Sequence, residues 1–128
     1  MTRLVVVLQQ VIRLLFVVQL VLGLCFWFGK LVNLVPLHIG LGMIFVLLLW
    51  LLAILGLVAR VRWLAPVALM LMGALVAYWG MKQRVWLADP DAPQVLVRLI
   101  HLFLVVLAIG LAERLVARIR ASRTSFTA

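Results

Sequence analysis

The sequence predicts an all-α integral membrane protein, an antiparallel four-helix bundle. Three observations predict it. Of the 128 residues, 69% are hydrophobic and 12% charged, with a mean hydropathy of +1.34. That is more apolar surface than a soluble domain of this size can hide. The apolar residues fall into four long runs, and about 20 such residues cross a ~30 Å hydrocarbon core. The basic residues stand at the ends of these runs instead of forming one stripe. The net charge of +9 therefore reads as the flanks of membrane spans, with no nucleic acid as partner and lipid as the solvent.

The first span is expected over 11–28, with its helix beginning as early as Leu4. Gln9 and Gln10 suggest an interfacial start, and Arg13 is near enough to the end to snorkel. Arg3 and the apolar stretch after it resemble a signal peptide. No small-residue cleavage site follows and more spans do, so the stretch reads as a retained first helix. The second span is expected over 35–59, where Pro36 suits a first helical turn. The third is expected over 63–81 and the fourth over 94–116, after a loop punctuated by Pro90 and Pro93. The connections predicted at 29–34, 60–62 and 82–93 are short, which makes successive helices antiparallel neighbours. The whole chain reads as one four-span domain, with a polar, frayed tail at 118–128.

Orientation follows from the basic residues. Arg3, Arg13, Arg60, Arg62, Arg114, Arg118, Arg120 and Arg123 collect on one side, expected to be cytoplasmic with both termini. Lys30, Lys82, Arg84 and Arg98 collect on the other, with Asp89 and Asp91. The expected location is a bacterial plasma membrane. Trp27, Trp63, Trp79 and Trp86 lie near span ends, where indoles favour the interface. A weak twofold repeat is suggested by Leu20-Val21-Leu22-Gly23 and Leu71-Met72-Gly73-Ala74, each with a glycine inside an apolar helix. Cys25, the one cysteine, reads as a small buried hydrophobe.

The chemistry is expected at His38 and His101, the two histidines. An imidazole inside an apolar span loses its water and needs a reason to be there. These two fall soon after the outer loops, on helices that run in the same direction, so they can face each other at similar depth. Two facing imidazoles suit the axial positions of a haem, and the expected occupant is one haem b held between helices two and four. Gly42 lies one turn from His38 and either clears room for the macrocycle or lets helices approach. Arg98 lies one turn outward of His101 and is either a propionate partner or a basic flank. Gln19 either bonds a neighbouring helix or approaches the cofactor. Gly73, Ala77 and Gly80 share a face of helix three, open to the same two readings. Glu113 is the one acid within a span and sits at its inner end; an exporter would be expected to carry a carboxylate mid-span.

The chain resembles the haem A synthase family in Gln19-Leu20-Val21-Leu22-Gly23, in Leu37-His38, in the stretch from Leu71 to Ala77, and in Leu99-Ile100-His101. It looks like one stand-alone four-helix half. The resemblance, over 19–111, implies bis-histidine ligation of haem b by His38 and His101 towards the outer face. The catalytic half of that family is expected to carry an acid, and often a cysteine pair, in the first outer loop. Here that loop is Gly29-Lys30-Leu31-Val32-Asn33-Leu34, with neither. The expected role is therefore membrane electron transfer, as a small cytochrome or within a larger complex whose redox partner the sequence does not name. A homodimer would restore a two-half arrangement. Two alternatives stand beside it: a haem-free structural or assembly subunit, and a haem-modifying enzyme.

Overall fold

The computed structural model describes residues 2–124 and is all-α. Helices α1 (Thr2–Trp27), α2 (Val35–Val58), α3 (Leu64–Ala88) and α4 (Gln94–Thr124) follow one another, with one 3-10 turn at Val32–Leu34 leading into α2. No strand occurs among the described residues. All four helices are long and apolar enough to cross a membrane.

The helix ends follow local chemistry. Gly29 takes φ +68° after α1. Its N–H donates to the Phe26 carbonyl at 3.0 Å, and the Lys30 N–H donates to Cys25 at 2.8 Å. This closes the helix in the manner of a left-handed glycine cap. Arg60 does the same work after α2 at φ 56°, with the Val61 N–H donating to Gly56 at 3.1 Å. A side chain in that conformation costs roughly 1–2 kcal/mol, offset in part by the carbonyls the turn satisfies. Before α4, the Asp91 N–H donates to Asp89 Oδ1 at 3.0 Å, and Pro90 and Pro93 keep the segment out of helix.

Two helices outrun their expected bounds: α3 continues past 81 to Ala88 and α4 past 116 to Thr124, while α1 begins at Thr2, close to the early start expected at Leu4. The tail expected to fray from 118 is thus helical to Thr124, and residues 125–128 lie outside the described residues. The reason is the same in both: polar helix formers such as Lys82, Gln83, Arg84, Arg118 and Arg120 continue a helix as well as apolar ones do. Hydropathy marks where a span ends, whereas only a breaker ends the helix. The third connection accordingly shrinks to 89–93.

Neighbouring helices are antiparallel, because contact numbers fall on one helix as they rise on the next. Gln19 meets Gly42 and Gly23 meets His38; on α3 and α4, Gly80 meets His101. α2 and α4 run in the same direction and touch across the short diagonal, while α1 and α3 do not touch each other. Gly56 marks a point where α2 lies close to both α3 and α4. A Cβ there would lie 3.0 Å from Leu115 of α4 and 3.2 Å from Pro66 of α3.

The core fills one half of the bundle. Val5, Leu8 and Ile12 pack with Phe45–Ala53 on α2, Leu69 and Val76 on α3, and Leu104–Ile119 on α4. This half contains the start of α1 and the end of α4 and is the terminal end; the other is the histidine end. The outer faces remain apolar, with Leu14 at 65% and Leu71 at 67% exposure. Such faces would be a liability in water and suit hydrocarbon.

A polar clamp ties α1 to α4 at the terminal end. Arg13 binds Glu113 through two parallel bonds of 2.7 Å. Gln9 donates to the same carboxylate, and Arg120 donates to the Gln9 carbonyl oxygen at 2.9 Å. Gln9, expected at an interface, is instead buried, and is the buried polar residue of the core. Its amide uses both its donor and its acceptor, which makes that burial tolerable.

Two outcomes are expected from thermal unfolding in mild detergent. Gly56→Ala forces a methyl against Leu115 and Pro66 and destabilises by about 1–3 kcal/mol, whereas Gly110→Ala, with nothing within 4 Å, changes stability by no more than about 1 kcal/mol. Arg13→Ala and Glu113→Ala each lower the melting temperature, and the double variant loses less than the sum, because both remove one shared interaction.

Candidate functional site

All four helices contribute side chains at the histidine end. His38 lies in the first turn of α2, placed there by the 3-10 turn and Pro36. His101 lies at the end of the second turn of α4. The two histidines stand on helices that touch across the bundle. Each is half-buried.

Each imidazole is backed by a glycine on the preceding helix. A Cβ on Gly23 of α1 would lie 3.9 Å from His38 Cε1, and one on Gly80 of α3 would lie 3.3 Å from His101 Cε1. Phe26 meets the His38 ring edge to face, with centroids 5.3 Å apart. The expected repeat is thereby re-registered. The sequence aligned Gly23 with Gly73, but in space the counterpart of Gly23 is Gly80, since each faces the histidine of its own helix pair. The roles of Gly23, Gly80 and Phe26 at the rings are not legible in the chain, because they depend on the register between helices.

Gln19 donates from Nε2 to the His38 carbonyl at 2.9 Å. Gly42 makes this approach possible, for a Cβ there would lie 2.8 Å from the same nitrogen. Of the two readings of Gly42, the one displayed is close approach between α1 and α2. Gly73 behaves likewise, and a Cβ there would lie 2.8 Å from Trp50 Nε1. That indole crosses from α2 to donate to the Met70 carbonyl at 3.1 Å. Ala77 packs partly buried against the core. The expected common face of Gly73, Ala77 and Gly80 therefore divides between two neighbours, with Gly73 against α2 and Gly80 against α4.

Arg98 lies with its guanidinium carbon 5.9 Å from the Trp27 ring centroid, a cation–π contact joining α4 to α1. Trp79 donates to the Val97 carbonyl at 3.1 Å and packs edge to face on Trp86. Both indoles thus serve contacts within the protein at the end where they were expected to anchor in an interface. Lys30, Lys82 and Arg84 are exposed, and Cys25 is a half-buried free thiol.

The polar balance of this end is incomplete. Among the described residues, the buried side-chain nitrogens and oxygens without a hydrogen-bond partner are three: Gln19 Oε1, His38 Nδ1 and His101 Nδ1. All three belong to this site. A buried polar atom left unpaired costs on the order of 1–3 kcal/mol, so three together mark a place where a ligand would be welcome. No group of three or more His, Cys, Asp or Glu side chains converges among the described residues. The donor set is two neutral imidazoles and an amide oxygen. Two imidazoles suit a metal that brings its remaining ligands with it.

The seat of Gln19 yields a test. Gly42→Ala pushes its methyl into the Gln19 amide and destabilises by about 1–3 kcal/mol; Gln19→Ala in the same chain restores part of that loss, measured by thermal unfolding, because it vacates the space.

No family model, curated protein or solved structure matches the chain.

Proposed function

We propose that the chain is an integral membrane cytochrome that holds one haem b between α2 and α4 and serves electron transfer, alone or as a subunit of a larger complex. The observation that carries this reading is the trio of unpartnered buried atoms, two of them imidazole nitrogens on helices that touch across the bundle. A porphyrin iron needs two further ligands, which is the number of histidines present. His38 and His101 would be those ligands, and the haem would supply reversible one-electron chemistry.

The chain's own residues would do the rest. Gln19 holds α2 through the His38 carbonyl, and Phe26 restrains the His38 ring. Gly23 and Gly80 give the two rings room to turn. The apolar helices would surround the imidazoles and the group they hold. Arg98, half-buried one turn from His101, would be the cation to meet an outward propionate. With His38 and His101 both holding the iron, oxygen binding would be disfavoured and electron transfer favoured.

The haem-free structural subunit draws on a different observation. Gly42 and Gly73 are filled by Gln19 and Trp50, so both are already accounted for by helix packing. The two readings part in one experiment. The cytochrome reading expects a Soret band and a reduced-minus-oxidised α band in the purified protein, both lost in His38→Ala and in His101→Ala. A chain that remains folded in membranes without either band, even when haem is supplied, is a structural subunit.

A further inference from the structure

A second feature lies at the opposite end of the bundle. An open cleft of about 290 Å³ between the start of α3 and the last turns of α4 is lined by Arg62, Arg114 and Arg118, together with Leu64, Ala65, Ala68 and Leu111. Its charge is unbalanced. Among the described residues the carboxylates are Glu113, Asp89 and Asp91. Glu113 is turned to α1, where Arg13 and Gln9 occupy it, and the two aspartates are at the far end of the bundle. α3 begins here with no side-chain cap, so the positive end of its dipole adds to the three guanidiniums. Below the arginines the lining is apolar and continues into the exposed outer faces of α3 and α4.

We propose that this cleft binds the headgroup of an anionic phospholipid, with the three arginines on its phosphate and the acyl chains running along Ala65, Ala68 and Leu111. The proposal rests on the membrane reading above and is independent of haem. A lipid is the occupant that matches both parts of the lining, a concentrated positive rim directly above an apolar wall. Guanidinium groups suit phosphate oxygens, which they bind through paired N–H donors. Basic pockets between spanning helices are suited to acidic lipid headgroups. The arginines at this end, which the sequence shows only as flanks that orient the chain, thus include three that converge.

The test uses the full chain, purified in mild non-ionic detergent, stripped of lipid and titrated with phosphatidylglycerol or phosphatidylcholine under native mass spectrometry. Phosphatidylglycerol is expected to bind in preference to phosphatidylcholine. Arg114→Gln is expected to weaken it about fivefold, and the triple change R62Q/R114Q/R118Q about a hundredfold. K82Q/R84Q, at the other end, should leave binding unchanged. Equal binding of both lipids, displacement by inorganic phosphate alone, or an equal loss in K82Q/R84Q would overturn the proposal. If the triple variant does not fold, the single variant decides. Retention in carbonate-washed membranes tests the membrane reading separately, so a chain found in the pellet without lipid preference overturns this proposal alone.

Discussion

The close approach of α2 and α4 governs the rest of the structure. Two helices across a four-helix bundle ordinarily stand apart, separated by the side chains of all four. Here α2 and α4 touch, with Gly56 of α2 against Leu115 of α4, in a core that also buries Ala53, Ala108 and Ala112. Even a methyl at Gly56 would press on Leu115 and Pro66. The diagonal contact drives α1 and α3 apart, so that each touches only its two neighbours. It also brings the two histidine-bearing helices together in the same direction, and without it His38 and His101 would belong to separate halves.

The bundle is accordingly built in two unlike halves. At the terminal end the buried core is closely packed: large aliphatic side chains interlock, and the buried Gln9 amide is satisfied by Glu113 and Arg120. At the histidine end the helices are held by long-reach contacts, an indole on a carbonyl, an amide on a carbonyl, and a guanidinium over a ring. Three buried polar atoms there have no partner. A rigid half that supports a half with unfilled polar capacity is a sensible division of labour for a small membrane protein, because the stability that a site gives up must be recovered elsewhere.

Glycines show how that division is achieved. Three of them admit a specific polar or aromatic group from a neighbouring helix: Gly42 admits the Gln19 amide, Gly73 the Trp50 indole, and Gly80 approaches His101. In hydrocarbon, hydrophobic burial gives helices little reason to associate, and close packing together with satisfied polar groups takes its place. The glycines permit both at once.

The sequence by itself determined the helices and their order. Hydropathy counted four spans, short connections made neighbours antiparallel, and the direction of α2 and α4 followed from that alone. The two histidines were legible as a pair for the same reason: they stand out chemically in an apolar chain, and antiparallel topology puts them at one end. The tertiary structure decided what each small or polar residue touches. Nothing in the chain says that Gly42 would be taken by Gln19, that Glu113 would turn to Arg13 and Gln9, that Gly80 and not Gly73 would face an imidazole, or that Arg62, Arg114 and Arg118 would converge on one cleft. Those contacts depend on helix rotation and register. Both are set by how glycine, alanine and leucine surfaces interlock, and a hydropathy pattern that is apolar on every face carries no record of them.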